Sequence, residues 1–155
     1  MAAETALMMK EVIQMLQNVK MLTLEMAKKI AAAAEEEARK NKINIVISIL
    51  DAGGNLKYFQ RMEGTSYGSV RISQLKANTS ASLPVSSRAL AERSAKFLCN
   101  PYGEIPDTLL LPGGLPIITE DGQHIGAIGI SGATSDQDEV CAQAGLNAVK
   151  KELAF

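Results

Sequence analysis

Two pairs of strand-like segments, each joined by a short turn, constrain the fold of this chain more than any other feature. In the first pair, isoleucines alternate with other residues over Ile43–Leu50, and the chain returns as a second segment over Leu56–Met62. The second pair spans residues 114–119 and 124–131, and the Asp-Gly sequence between them is typical of a hairpin turn. Because a period of two indicates strands and short turns join antiparallel neighbours, we expect two antiparallel hairpins.

Segments with helical spacing of apolar residues lie before, between and after the two hairpins. An alanine stripe marks Leu24–Lys40, for which Thr23 is the expected N-cap, and Ser135 with Asp138 is expected to form a capping box at the last helix. The pattern predicts an α+β domain with an antiparallel sheet of four to five strands flanked by helices, and it disfavours a doubly wound parallel sheet. The predicted helices span residues 3–19, 24–40, 68–82, 86–98 and 136–153.

The composition argues against several kinds of partner. The chain has 155 residues, a formal net charge of −1, and only three Phe and three Tyr. Without a basic cluster for phosphates or aromatic residues for base stacking, we expect no nucleic acid. There is no apolar run of about 18 residues and no basic leader, so we expect no membrane partner and a cytoplasmic location. Cys99 and Cys141 are therefore expected to be reduced, mostly buried thiols rather than a disulfide.

The last third of the chain contains closely spaced glycines. Gly113 and Gly114 precede the third predicted strand, and Gly132 follows the end of the fourth. Glycines expose backbone where a ligand or another chain segment approaches closely, so this stretch suggests a binding surface. No nucleophile–base pair or metal-binding cluster accompanies it. Whether the protein is an enzyme stays open, and a bound cofactor would have to carry any chemistry.

Five separated motifs resemble the GlcG/HbpS family, which is also called haem-degrading and is related to the C-terminal domain of PduO-type proteins. The resemblance runs in matching order through residues 22–155. We therefore divide the chain into an N-terminal helical extension, residues 1–20, and a GlcG/HbpS-like domain, residues 21–155. The motifs are Asp51-Ala-Gly-Gly-Asn-Leu, Arg61-Met-Glu-Gly, Gly113-Gly-Leu-Pro-Ile, Ile125-Gly-Ala-Ile-Gly-Ile-Ser-Gly-Ala and Gln137-Asp-Glu-Val-Cys-Ala-Gln-Ala-Gly.

The resemblance implies a profilin-like layered fold, symmetric homo-oligomers and, in some members, haem binding. Three kinds of function stay open. The first is a small-molecule binding protein for haem or another tetrapyrrole, with haem degradation as one role. The second is an accessory protein or enzyme of glycolate- or diol-type hydroxy-acid metabolism, and the third is a structural oligomeric subunit. The N-terminal helix is expected in or beside a subunit interface, through an apolar stripe of Met8, Val12, Met15, Leu16 and Val19.

The expected ligand site joins the glycine-rich stretch to residues from other segments. Lys76 matches a lysine usual in the family, and it either pairs with a carboxylate such as a haem propionate or lies on a solvated helix face. Tyr102 either covers a ligand or packs, and the N–H groups that follow Ser131 either hold an anion or are capped. His124 is either an exposed turn residue or a ligand of haem iron, and no dedicated metal site is expected. The expected cofactor-binding residues are Lys76, Tyr102, Gly113, Gly114, Ser131 and Gly132.

Overall fold

The protein is built in three layers, with helices on both faces of one sheet. The computed structural model describes residues 1–15 and 18–155. A 3₁₀ helix, Glu152–Ala154, follows the last α-helix. The α-helices are α1 (Ala2–Met15), α2 (Leu24–Lys40), α3 (Tyr67–Ser82), α4 (Ser87–Ser94) and α5 (Ser135–Asn147), and the strands are β1 (Val46–Asp51), β2 (Leu56–Arg61), β3 (Gly114–Ile118) and β4 (His124–Ser131).

The four strands form one sheet in the order β2-β1-β4-β3, and every neighbouring pair is antiparallel. The central strands β1 and β4 pair from Val46 opposite Ser131 to Asp51 opposite Gly126. This register places both hairpin turns at the same end of the sheet. The predicted α+β class and the predicted antiparallel sheet are confirmed.

The main core lies between the sheet and helices α2 and α5. Ile45, Ile47 and Ile49 are fully buried in it, because alternate residues of a strand point to the same face. The expected alanine stripe of α2 packs on them, and its small side chains allow the helix to lie close. Thr23 caps α2 as predicted, since its hydroxyl accepts a hydrogen bond of 3.1 Å from the Met26 N–H. The buried alanines of α2 are Ala27, Ala31, Ala34 and Ala38.

Helix α3 covers the other face of the sheet at very short range. A Cβ added at Gly129 would lie 2.1 Å from the carbonyl oxygen of Ser73 and 2.3 Å from the backbone nitrogen of Ala77. No side chain larger than hydrogen fits at that position of β4. Beside it, the Ser48 and Ser73 hydroxyls form a buried hydrogen bond of 2.8 Å. This interface is therefore made of small and polar residues.

Two predictions about caps and cysteines are wrong. Thr134, rather than Ser135, caps α5: its hydroxyl accepts from the Gln137 N–H at 3.3 Å, and the Gln137 side chain accepts from the Thr134 N–H at 3.2 Å. Ser135 is already helical, so its backbone does not have the extended conformation of a cap.

Cys141 is buried as expected, but Cys99 is exposed on the loop after α4, and both thiols are free.

The helix ends also differ from the sequence pattern. Helix α4 stops at Ser94 because the following N–H groups of Lys96 and Phe97 bond three residues back, which tightens the last turn. Helix α5 stops at Asn147, and the Val149 N–H likewise bonds to Leu146 three residues back. The chain after α5 then returns to the β3–β4 hairpin.

Helix α1 presents exposed apolar side chains. Leu7, Met8 and Met9 are 61, 67 and 60% exposed. Of the expected stripe, Leu16 lies outside the described residues, as do the side chains of Val12 and Met15. Across the described residues, no helix combines the length and the apolar character needed to cross a membrane.

We predict that Ile47→Asp lowers the free energy of unfolding by about 4 kcal/mol, because it buries an unpaired carboxylate in the main core. Urea unfolding followed by circular dichroism measures the change. Val140→Asp, at a position 54% exposed on α5, is the control and should change stability by less than about 0.5 kcal/mol. An Ile47→Asp variant as stable as the wild type would contradict the assigned core face.

Candidate functional site

Lys76 lies at the junction of α3, β4 and α5, where its ammonium group is buried. Its Nζ donates hydrogen bonds to Oδ2 of Asp138 at 2.7 Å and to the carbonyl oxygen of Ile130 at 3.0 Å. The side chains of Lys76 and Asp138 are only 1 and 2% exposed. The expectation of a solvated helix face is therefore wrong. The carboxylate that Lys76 binds belongs to the protein itself.

The second oxygen of Asp138 is also engaged. Its Oδ1 accepts a hydrogen bond of 3.1 Å from the Ala133 N–H, just before α5 begins. Burial raises the pKa of the Asp138 carboxyl, while the Lys76 ammonium and the Ala133 N–H act in the opposite direction. The ion pair thus ties three elements together: α3 through Lys76, the end of β4 through Ile130, and the start of α5.

The glycines at positions 113 and 114 make room for this junction. Gly113 has a φ of +118°, and a Cβ there would lie 3.0 Å from both Nζ of Lys76 and Cβ of Asp138. A Cβ at Gly114 would lie 2.3 Å from the carbonyl oxygen of Lys76. The Gly114 N–H donates to Oγ of Ser87 at 3.0 Å, which joins α4 to the same point. The close approach at these glycines is made by the protein's own backbone.

The other predicted ligand-binding residues lie around this junction or away from it. Ser131 follows Ile130 at the end of β4 and is buried. Gly132 has a φ of +142° and packs on the Asn44 carbonyl, where a Cβ would lie at 2.4 Å. Tyr102 is half-buried in the loop between α4 and β3, and its carbonyl accepts from the Thr108 hydroxyl at 2.8 Å. The structure brings Lys76, Gly113 and Gly114 into contact, and a role of the whole set in ligand binding stays a prediction.

His124 begins β4 and pairs with Ile118 of β3. It is half-buried, so the interpretation as an exposed turn residue is wrong. Its Nε2 atom is buried and has no hydrogen-bond partner within the described part of the chain. A buried imidazole nitrogen without a partner carries an unmet hydrogen-bonding or ligating capacity.

An open groove lies between the β3–β4 hairpin and the chain that follows α5. Its volume is about 660 Å³. A backbone hydrogen bond of 2.7 Å from the Glu120 N–H to the Leu153 carbonyl holds the two walls together. Lys29 and Glu152 form an ion pair that fixes the 3₁₀ helix to α2. The groove is lined by Ile118, Glu120, Asn147, Lys150, Lys151, Leu153 and Ala154.

The chemistry of the groove is amphipathic. Ile118 and Leu153 supply apolar surface, whereas Lys150 and Lys151 bring two ammonium groups and Glu120 one carboxylate. Sequence reasoning missed this groove because it treated residues 148–153 as helix. The one available signal was the adjacent Lys150-Lys151 before an apolar chain end.

Metal binding and cysteine chemistry have little support among the described residues. No group of three or more His, Cys, Asp and Glu side chains is placed to hold a metal ion there. Burial raises the pKa of the Cys141 thiol to about 11, so this cysteine is protonated at neutral pH and is a poor nucleophile.

The chain is a small layered α+β domain with an amphipathic groove beside its β3–β4 hairpin. The model of the family described as haem degrading protein HbpS-like matches residues 22–147. The chain belongs to this family, which confirms the resemblance stated above.

Three relatives illustrate the similarity. Protein GlcG of Escherichia coli is 36% identical over 121 residues, which are 71% of this chain and 81% of that protein. The crystal structure of a double mutant of HbpS from Streptomyces reticuli is 35% identical with a TM-score of 0.79, covering 86% of this chain and 90% of that one. The crystal structure of a complex of PduOC with heme is 26% identical with a TM-score of 0.77, covering 83% of this chain and 95% of that one.

We predict that Lys76→Met destabilises the protein by about 3–5 kcal/mol at neutral pH, because it leaves the buried Asp138 carboxylate without its cation. Removal of the ammonium raises the folded-state pKa of Asp138 further above its unfolded value. The folded variant then binds a proton more tightly than the unfolded chain, so its stability increases as the pH falls through that raised pKa. Urea unfolding at neutral pH and near pH 5 measures both effects.

The control is the double variant Lys76→Met/Asp138→Asn. The side-chain amide introduced at position 138 carries no charge, and its oxygen still accepts a hydrogen bond from the Ala133 N–H. Most of the lost stability should therefore return, and the gain in stability at acid pH should disappear. Equal losses in the single and double variants would contradict the ion pair as the source of the effect.

Proposed function

We propose that the protein binds haem or a related tetrapyrrole in the groove between the β3–β4 hairpin and the chain after α5. The observation that carries the proposal is the amphipathic lining of this groove, with apolar walls and two adjacent lysines. Ligand pockets of about 300–1,000 Å³ accommodate drug-sized molecules, and the groove falls within that range. The relative crystallised with heme supports the choice of ligand class.

The residues of the groove fit the parts of such a ligand. A tetrapyrrole carries an apolar macrocycle, which suits Ile118 and Leu153, and propionates, which suit the ammonium groups of Lys150 and Lys151. His124 does not line the groove itself, but it pairs with the lining residue Ile118 and has an unpartnered Nε2, so it would be the candidate ligand of haem iron. When bound, haem would supply redox chemistry.

We place the ligand in the groove rather than at the Lys76 junction for two reasons. The Lys76 ammonium is already paired with Asp138 and buried, so a propionate would have to displace an internal carboxylate. The space at Gly114 is filled by the backbone of α3. On this proposal Lys76, Gly113 and Gly114 hold β4 in place, and the far end of β4 carries His124.

We predict that adding haemin to the protein produces a saturable shift of the Soret band with one haem per chain. Lys150→Glu/Lys151→Glu should weaken binding by about tenfold, because both propionate partners reverse their charge. His124→Ala should change the position of the Soret band at saturation. The control Lys40→Glu/Lys96→Glu makes the same charge change on exposed lysines elsewhere and should bind as the wild type does.

Two results would overturn the haem proposal. One is the absence of a saturable Soret shift with the wild type. The other is an equal loss of affinity in the groove variant and in its charge-matched control, because net charge rather than the groove would then govern binding. A His124→Ala spectrum identical to that of the wild type would remove His124 as a candidate ligand of haem iron.

We further propose that the protein is a homo-oligomer with helix α1 in or beside the interface. The exposed Leu7, Met8 and Met9 support this, because an isolated helix of this length is marginal in water and gains stability by packing. Deletion of residues 1–20 should reduce the molar mass measured by light scattering. A full-length monomer at micromolar concentration would contradict the proposal, and an unchanged oligomer would confine the interface to residues 21–155.

A further inference from the structure

A second pocket lies on the α3 face of the sheet, beside the β1–β2 hairpin. Its volume is about 220 Å³. Its apolar lining, here called the leucine floor, comes from Leu50, Leu56 and Leu75. Three side chains on one side of α3 bring hydrogen-bond donors to it: Arg71, Gln74 and Asn78. The pocket shares no lining residue with the haem groove.

The loop between α4 and β3 contributes Asp107 to the lining of the pocket. Asn78 Nδ2 donates to the carbonyl of Asp107 at 3.1 Å, and the Leu109 N–H donates to Oγ1 of Thr79 at 2.8 Å. Two adjacent residues of α3 therefore hold the loop against the helix. This loop is longer than most connections in compact domains, and long ordered loops commonly serve binding.

Asp107 supplies a carboxylate to the pocket. Its Oδ1 accepts a hydrogen bond of 2.7 Å from Nη2 of Arg71. The two side chains are 62 and 63% exposed, and ion pairs as exposed as this contribute little to stability. Asp107 nevertheless has a φ of +60°, a region that few residues other than glycine, asparagine and aspartate adopt. The backbone at Asp107 therefore holds its carboxylate against the Arg71 guanidinium, and solvent has ready access to that guanidinium.

The donor set defines the chemistry of a ligand. The Arg71 guanidinium carries five N–H donors in a planar fork that matches a carboxylate, and one hydrogen bond to Asp107 uses only one of them. The side-chain amides of Gln74 and Asn78 offer donors and acceptors to a hydroxyl or carbonyl group. The leucine floor suits a short carbon chain, and the volume excludes a large one.

We propose that this pocket binds a small carboxylic acid with a short apolar or hydroxylated chain. The carboxylate of the ligand takes the place of the Asp107 carboxylate on Arg71, and the chain lies on the leucine floor. Asp107 acts as an internal competitor that occupies Arg71 until the acid arrives. This site is independent of the haem groove.

Isothermal titration of the full chain with propionate and lactate tests the proposal. Both acids should bind saturably, whereas propionamide and lactamide, which have the same shapes without the charge, should not. Arg71→Gln should weaken acid binding by at least about tenfold. Asp107→Asn should strengthen it by about two- to fivefold, because the competing charge is lost while asparagine still tolerates the positive φ.

The matched control is Arg39→Gln, which removes an exposed arginine that is also paired with a carboxylate, Glu35, and should leave acid binding unchanged. Arg71→Lys keeps the charge without the fork and should bind with intermediate affinity, so the test survives if the glutamine variant folds poorly. Equal binding of acids and amides, equal binding of inorganic phosphate, no loss in Arg71→Gln, or weaker binding in Asp107→Asn would each overturn the proposal. None of these variants should alter the haemin titration.

Discussion

Helix α3 lies against the sheet with backbone almost touching backbone. At Gly129 and Gly114 the helix comes so near that a methyl group on either strand residue would collide with its peptide groups. This approach leaves space only for small residues such as Ser73 and Ala77, and it directs the long Lys76 side chain along the sheet toward α5. The Lys76–Asp138 ion pair, the start of β3 at Gly114 and Ser87 of α4 all lie around this contact.

The close packing of α3 on the sheet divides the sheet into a closed end and an open end. The closed end holds the Lys76–Asp138 pair and the glycines that pack around it. Two open cavities lie at the other end, where the two hairpin turns are found: the groove that we propose for haem, on the α5 side, and the Arg71 pocket, on the α3 side. Both proposed ligand sites are thus separate from the tightly packed residues around Lys76.

The sequence predicts the sheet well because its signals are local. Alternating isoleucines in Ile43–Leu50, the Asp-Gly turn before β4 and the capping threonine of α2 each act within a few residues. The state of Lys76 depends on a partner 62 positions further along the chain, and no periodicity reveals such a pairing. The groove beside the β3–β4 hairpin depends on a chain end that leaves the helical path, where the Glu120 N–H donates to the Leu153 carbonyl. The Arg71 pocket likewise depends on Asp107 in a loop without periodic pattern.

The buried ion pair also limits how the helices can be arranged. Small residues recur at every turn on the sheet-facing side of α3, at Ser69, Ser73, Ala77 and Ala81, so their sizes alone distinguish poorly between registers one turn apart. Movement of α3 by one turn, about 5.4 Å, would separate Lys76 from Asp138 and leave two charges buried without partners. Such a loss is worth about 3–5 kcal/mol, a large part of the stability of an ordinary domain. Together with the buried hydrogen bond between Ser48 and Ser73, the pair therefore favours a single register of α3 on the sheet.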